Sequence, residues 1–191
     1  MREHFRPALA LLALFSLLCG VAYPLAVTGI AQLAFPAQAA GSLIEQEGKV
    51  IGSELIGQNF SQPGYFHGRP SAAGANGYDA SVSSGSNLGP SSKALQDRIA
   101  ASVAVLKAEN PGAPVPAELV YASASGLDPD IAPATAQFQI PRIAVARGLS
   151  AMQLQALIDR HTRPRFIGLI GEPAVNVLAL NRALDASAAA P

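Results

Sequence analysis

The chain is poor in most of the residues that build stapled or reactive proteins. It has no tryptophan, two methionines and a single cysteine among 191 residues. That cysteine, Cys19, lies in an apolar run near the start, so everything after it lacks a thiol. No disulfide framework and no thiolate metal site can form there, even in an oxidising compartment. Charge is also scarce. Thirteen basic residues balance thirteen acidic ones, which removes the electrostatic case for binding nucleic acid or an anionic surface.

Charge is missing altogether between Pro7 and Ile44, and residues 8–35 are almost entirely apolar. About 20 apolar residues at ~1.5 Å of rise already cross a bilayer's hydrocarbon core. The polar atoms of Ser16, Cys19, Thr28 and Gln32 carry no charge, and Pro24 and Gly29 are common in membrane helices. Residues 8–35 are therefore expected to form one transmembrane helix. A cleaved signal peptide would share the basic start and could be cut after Ala37-Gln38-Ala39, but its apolar core is usually ~7–15 residues. Gly20, Ala22, Ala26 and Gly29 offer small notches where a neighbouring helix can approach. Arg2 and Arg6 precede the run, and the first basic residue beyond it is Lys49, behind Glu45 and Glu47. The positive-inside rule then puts residues 1–7 in the cytoplasm and residues 36–191 outside the inner membrane.

The expected class is α+β: one amino-terminal transmembrane helix, then a single extracytoplasmic domain with a long Gly/Ser/Asn-rich loop. Leu43–Ile44 and residues 50–56 read as a hairpin around Glu47-Gly48. Residues 63–90 have no helical or strand period, yet Tyr65, Phe66 and Tyr78 give the segment something to bury. An ordered loop is expected. Residues 91–109 read as a helix capped by Ser91 or Ser92, with Leu95, Ile99, Val103 and Leu106 on its apolar face. Residues 119–121 read as a short extended run. Asp128 before Pro129 fits a helix N-cap, and residues 132–147 read as helix interrupted at Pro141. Ser150 caps a helix over 151–161 with Met152, Leu154, Leu157 and Ile158 inward. Residues 166–170 read as a short buried strand, and Glu172-Pro173 as the opening of a last helix through Ala186, with a frayed tail at 186–191.

Nothing here spells out catalysis. His4, His67 and His161 stand alone, without the spacing that puts two imidazoles on one helical face. Asp128 and Asp130 have the chemistry for a hard cation, but a D-P-D step more often caps a helix. Serines near His67 and Asp79 lack a nucleophile elbow, and Lys93 completes no S-x-x-K pair. Residues 83–90 are the segment most like an anion-binding nest; no phosphate-binding loop or aspartyl-phosphate motif accompanies them. Aromatic and cationic side chains dominate protein interfaces. Tyr65, Phe66 and Arg69, with Asn87 and Asp128, are therefore the expected partner-docking residues.

Eight ordered blocks carry a resemblance. They are residues 35–39 with Gly41-Ser42-Leu43, Leu55-Ile56-Gly57-Gln58, Tyr65-Phe66-His67-Gly68-Arg69-Pro70-Ser71, and Gly85-Ser86-Asn87-Leu88-Gly89-Pro90. Next come Ser125-Gly126-Leu127-Asp128-Pro129, Pro141-Arg142 with Ala146-Arg147-Gly148-Leu149, Gly171-Glu172-Pro173, and Val175-Asn176-Val177-Leu178. Together they resemble the C subunits of Kdp potassium-transporting P-type ATPases. Ala40, Ser84, Ala124 and Ala174 depart from the usual pattern. The resemblance implies a non-catalytic subunit of an ATP-driven potassium-uptake complex, described for the family as a catalytic chaperone that raises the pump's affinity for ATP. It implies a potassium-channel-like subunit, a P-type pump subunit and a small single-helix subunit as partners. ATP and potassium would be handled by those partners, with no cofactor bound directly. The rival reading is an independent anchored or secreted periplasmic enzyme or ligand-binding domain.

Overall fold

The computed structural model describes residues 2–188, so the end of the tail expected at 186–191 lies outside the described residues. The chain forms two compact units, Met1–Ser53 and Glu54–Pro191.

In the first unit the apolar run is helical from end to end: α1 (Arg2–Leu17), a π-helical turn (Leu18–Ala22) and α2 (Tyr23–Ala34). The stretch Glu3–Ala34 is long and apolar enough to cross a membrane, and an 18-residue window within it has a mean hydropathy of 2.2. The π turn sits directly before Pro24, and the Tyr23 N–H reaches back to the Leu18 carbonyl. A proline ring crowds the carbonyl four residues earlier, here that of Gly20. Widening the turn by one residue relieves that crowding without ending the helix. After a single turn, α3 (Pro36–Ala39), come β1 (Leu43–Gln46) and β2 (Lys49–Ser53). They pair antiparallel around Glu47 and Gly48, both at positive φ (53° and 74°). This is the two-residue turn whose twist suits a hairpin.

The second unit is mixed helix and strand. α4 (Lys93–Glu109) follows a segment, 57–91, without helix or strand. Of the expected apolar face Leu95 is buried, while Ile99, Val103 and Leu106 are half-buried. Ser92 holds the N-cap position, but its side chain makes no capping bond. A three-stranded antiparallel sheet has β5 (Ala174–Asn176) between β3 (Asp130–Ile131) and β4 (Thr162–Arg163). Val175 pairs with Ile131 on one side and Thr162 on the other, and is fully buried. The remaining helices are α5 (Pro133–Phe138), α6 (Ile140–Arg147), α7 (Ala151–His161) and α8 (Val177–Ala188). Ile131, Ile143, Leu154, Ile158, Leu180 and Leu184 join Val175 and Phe66 in one core. Pro141 lies in the first turn of α6, where its missing N–H costs nothing. Gly148 ends α6 in the left-handed conformation (φ 66°), and Ser150 starts α7 with a reciprocal capping box to Gln153.

Five expectations are corrected. Residues 117–119 form a 3-10 turn rather than leading an extended run. Leu119 and Val120 are both buried, whereas a strand would alternate. Asp128 caps no helix; it accepts the Asp130 N–H and turns the chain into β3. Met152 is 82 % exposed, off the face that buries Leu154 and Ile158. The last helix opens at Val177, because Asn176 accepts the Ala179 N–H and the residues before it are held in the sheet. Residues 166–170 are an exposed turn rather than a buried strand, since Phe166 bridges back to Ile170 at once.

Candidate functional site

The loop that carries most of the expected site residues is held by side chains, not by a neighbouring strand. Arg142 on α6 donates from Nη1 to the carbonyls of Pro63 (2.5 Å) and Tyr65 (3.0 Å). Its Nε pairs with Glu109 of α4 at 3.1 Å. Arg147, one α6 turn on, donates to the Gly64 carbonyl at 2.9 Å and pairs with Asp185 of α8 at 2.8 Å. Its guanidinium also lies 4.5 Å over the Tyr65 ring, whose hydroxyl donates to the same Asp185. Asn181 of α8 accepts the Phe66 N–H (2.8 Å) and donates to the Phe66 carbonyl (2.9 Å). Gln139 does the same for His67, at 2.8 and 3.0 Å. Two carboxamides thus imitate a strand's ladder for two successive residues. Buried backbone must be bonded to something. Here that role falls to Asn181 and Gln139, each only 2 % exposed.

A second set of contacts closes the loop on residues 123–128. Arg69 pairs with Asp128 at 3.0 Å, and Ser71 Oγ donates to the Gly126 carbonyl while accepting the N–H groups of Ala73 and Tyr78. Tyr78 donates its hydroxyl to the Arg69 carbonyl at 2.5 Å. Burial, and next the Asp128 carboxylate, push that phenol up to about 12. Gly57 and Gly126 are required by close approach. A Cβ would lie 2.5 Å from the Asp128 carbonyl oxygen at Gly57, and 2.5 Å from the Ser84 carbonyl oxygen at Gly126. Beside these contacts opens a cleft of about 480 Å³ lined by Asn59, His67, Arg69, Asn76, Tyr78 and Leu106, among others.

The expected docking residues are divided by this geometry. Tyr65, Arg69 and Asp128 are half-buried and tied to other parts of the unit. Phe66 is core, with no exposed surface, so its ring is no contact surface. Asn87 is exposed with φ 50°, a turn-forming conformation that asparagine tolerates. Gly20, Ala22 and Ala26 lie exposed on the apolar helix and Gly29 is half-buried; a Cβ at Gly20 or Gly29 would meet nothing within 4 Å.

The other candidates are engaged elsewhere. His67 Nε2 faces the Gln62 carbonyl, and Asp79 accepts from Ser81 Oγ and N–H. Asp128 faces Arg69 and Asp130 faces Arg163. Among the described residues no group of three His, Cys, Asp or Glu side chains is placed to hold a metal ion. In the nest-like segment the Ser84 amide is bonded to the Ser125 carbonyl.

Sequence reasoning missed Gln139, Arg142, Arg147, Asn181 and Asp185. The available signal was polar side chains set within apolar helical patterns, Asn181 between Leu180 and Leu184 most plainly.

The chain matches the family model described as "KdpC: K+-transporting ATPase, c chain" over residues 5–186. It is 61 % identical over 187 residues to a Caulobacter vibrioides protein named Potassium-transporting ATPase KdpC subunit, covering 97 % of this chain and 94 % of the relative. Proteins of the same name from Rhodopseudomonas palustris and Bradyrhizobium diazoefficiens are 57 % and 56 % identical. The alignments cover 98 % and 99 % of this chain, and 98 % and 100 % of those relatives.

Two outcomes follow from the geometry. Asn181→Leu strands the buried Phe66 N–H and carbonyl together and should cost about 3 kcal/mol of stability. Arg69→Ala, breaking a partly solvated pair, should cost about 1 kcal/mol. Denaturant unfolding of the full chain in detergent measures both, and equal losses would contradict the assignment. The second outcome concerns His67, whose pKa is lowered from 6.5 by burial and then by the nearby Arg142 guanidinium. Below pH 6.5 the unfolded chain takes up this proton more readily than the folded one, so stability falls as pH drops. His67→Gln should flatten that slope in melting temperatures recorded between pH 7 and 5.

Proposed function

The chain belongs to the family of K+-transporting ATPase c chains, and from that membership we propose that it is a non-catalytic subunit of an ATP-driven potassium-uptake complex. The observation that carries this reading is that the likeness runs through both the apolar helix and the unit beyond it. The polar side chains of the second unit support it too. Arg142, Arg147, Gln139 and Asn181 are committed to holding backbone, which suits a shaped, rigid module better than a reaction centre.

In this reading the helix anchors the chain in the inner membrane, with the amino terminus in the cytoplasm and residues 36–191 in the periplasm. The arginine bias at the start supports that orientation. A potassium-channel-like subunit, a P-type pump subunit and a small single-helix subunit are the partners, and they handle potassium and ATP. A periplasmic unit has no access to cytoplasmic nucleotide. Its effect on the pump's ATP affinity, the chaperone role, therefore runs as coupling through the assembled complex. Tyr65, Arg69 and Asp128, with Asn87, shape the surface it offers to the complex. Gly20, Ala22, Ala26 and Gly29 let a neighbouring membrane helix approach.

Protease added to spheroplasts should digest the second unit and leave an amino-terminal fragment carrying the helix. Full protection of the second unit would reverse the orientation, and a mature chain beginning at Ala40 would replace the anchor with a cleaved signal.

A further inference from the structure

Four apolar side chains stand in water at a single turn. Phe166, Ile167, Leu169 and Ile170 are 68, 76, 81 and 65 % exposed. The turn is well made: Phe166 and Ile170 exchange backbone hydrogen bonds at 2.8 and 3.0 Å, and the Leu169 N–H also donates to the Phe166 carbonyl. Its two central residues, Ile167 and Gly168, both have positive φ, 53° and 74°. Glycine suits that conformation. A β-branched isoleucine is among the residues that tolerate it least, and asparagine is what such turns prefer. Backbone and solvent therefore both favour a polar residue at 167, and the chain carries an apolar one.

The base of the turn is electrically closed. Pro164 and Pro173 flank it. Arg163 pairs with Asp130, and Arg165 pairs with Glu172 at 2.6 Å. Both guanidinium groups at the base are thus neutralised within the chain, leaving no surplus positive charge there to hold an anionic bilayer. A convex, preorganised and apolar tip on a neutral base suits an apolar hollow in a protein, where desolvated anchors dominate binding.

The geometry points to residues 166–170 as a plug that seats in an apolar concavity of another subunit of the potassium-transporting ATPase. This rests on the reading of the chain as a subunit of that complex.

The test co-expresses the full chain with the other subunits and recovers the complex in detergent. Ile167→Asn places the preferred Asn-Gly pair in the turn, so the chain's own melting temperature should hold or rise while recovery of the partner subunits falls about tenfold. Leu169→Ser, at a side chain 81 % exposed, should act in the same direction. Undiminished recovery with both variants overturns the plug but leaves the subunit reading standing. Failure of the unaltered chain to recover any subunit sinks both. Because the chain has no tryptophan, Phe166→Trp gives a clean reporter for lipid. In the chain reconstituted alone into phosphatidylcholine–phosphatidylglycerol vesicles, emission should remain that of a solvated indole. A blue-shifted emission quenched by brominated acyl chains would assign the tip to the bilayer and overturn the proposal.

Discussion

The second unit depends on one constraint: residues 64–67 are partly withdrawn from water, Phe66 wholly so, with no strand beside them, and the backbone groups buried there must find partners. A lost bond to a buried peptide group costs about 1–3 kcal/mol. Leaving both backbone groups of the fully buried Phe66 unpaired would therefore take a large share of the about 5–15 kcal/mol that holds a domain together. Arg142 and Arg147 from α6, Asn181 from α8 and Gln139 from the α5–α6 junction meet that demand. The same side chains dictate where those helices lie. Tyr65 is clasped between Arg147 and Asp185, and Phe66 is carried into the core beside Leu180 and Leu184. Loop and helices therefore fold as one body.

This explains which parts of the chain were legible in advance. The amino-terminal helix, the Glu47-Gly48 hairpin, α4 and the Ser150 cap all follow from local rules: a long apolar run, turn residues, helical spacing, a capping side chain. Local rules failed where partners distant in sequence decide the conformation. Asp128-Pro129 looks like a helix start, but pairing of Asp130 with Asn176 makes it a strand entry. Residues 166–170 have the composition of a buried strand, but Gly168 and the immediate bridge from Phe166 to Ile170 fold them into a turn instead. The loop could be read as ordered from its aromatics. The residues that order it lie far off in sequence, from 72 positions away for Gln139 to 115 for Asn181.

The docking residues show the same division. An aromatic or arginine in a loop is a fair sign of an interface, yet it is also the sign of a loop that must be fastened. Phe66 is fastened by burial, and Tyr65 and Arg69 by ion pairs and hydrogen bonds that still leave part of each exposed. A subunit of a membrane complex gains from such fastening, because a surface already ordered loses less entropy on docking. The membership in the K+-transporting ATPase c chains and this rigid construction point the same way. In the function proposed above, the chain contributes shape and anchorage, and the chemistry of transport belongs to the other subunits.

Amide hydrogen exchange at Phe66 and His67 tests the central claim most directly. If Asn181 and Gln139 stand in for a strand, these two amides should exchange only on global unfolding, as slowly as those of Leu154 and Ile158 in the core helix α7. Exchange at the rate of an open loop, while α7 stays protected, would contradict the account.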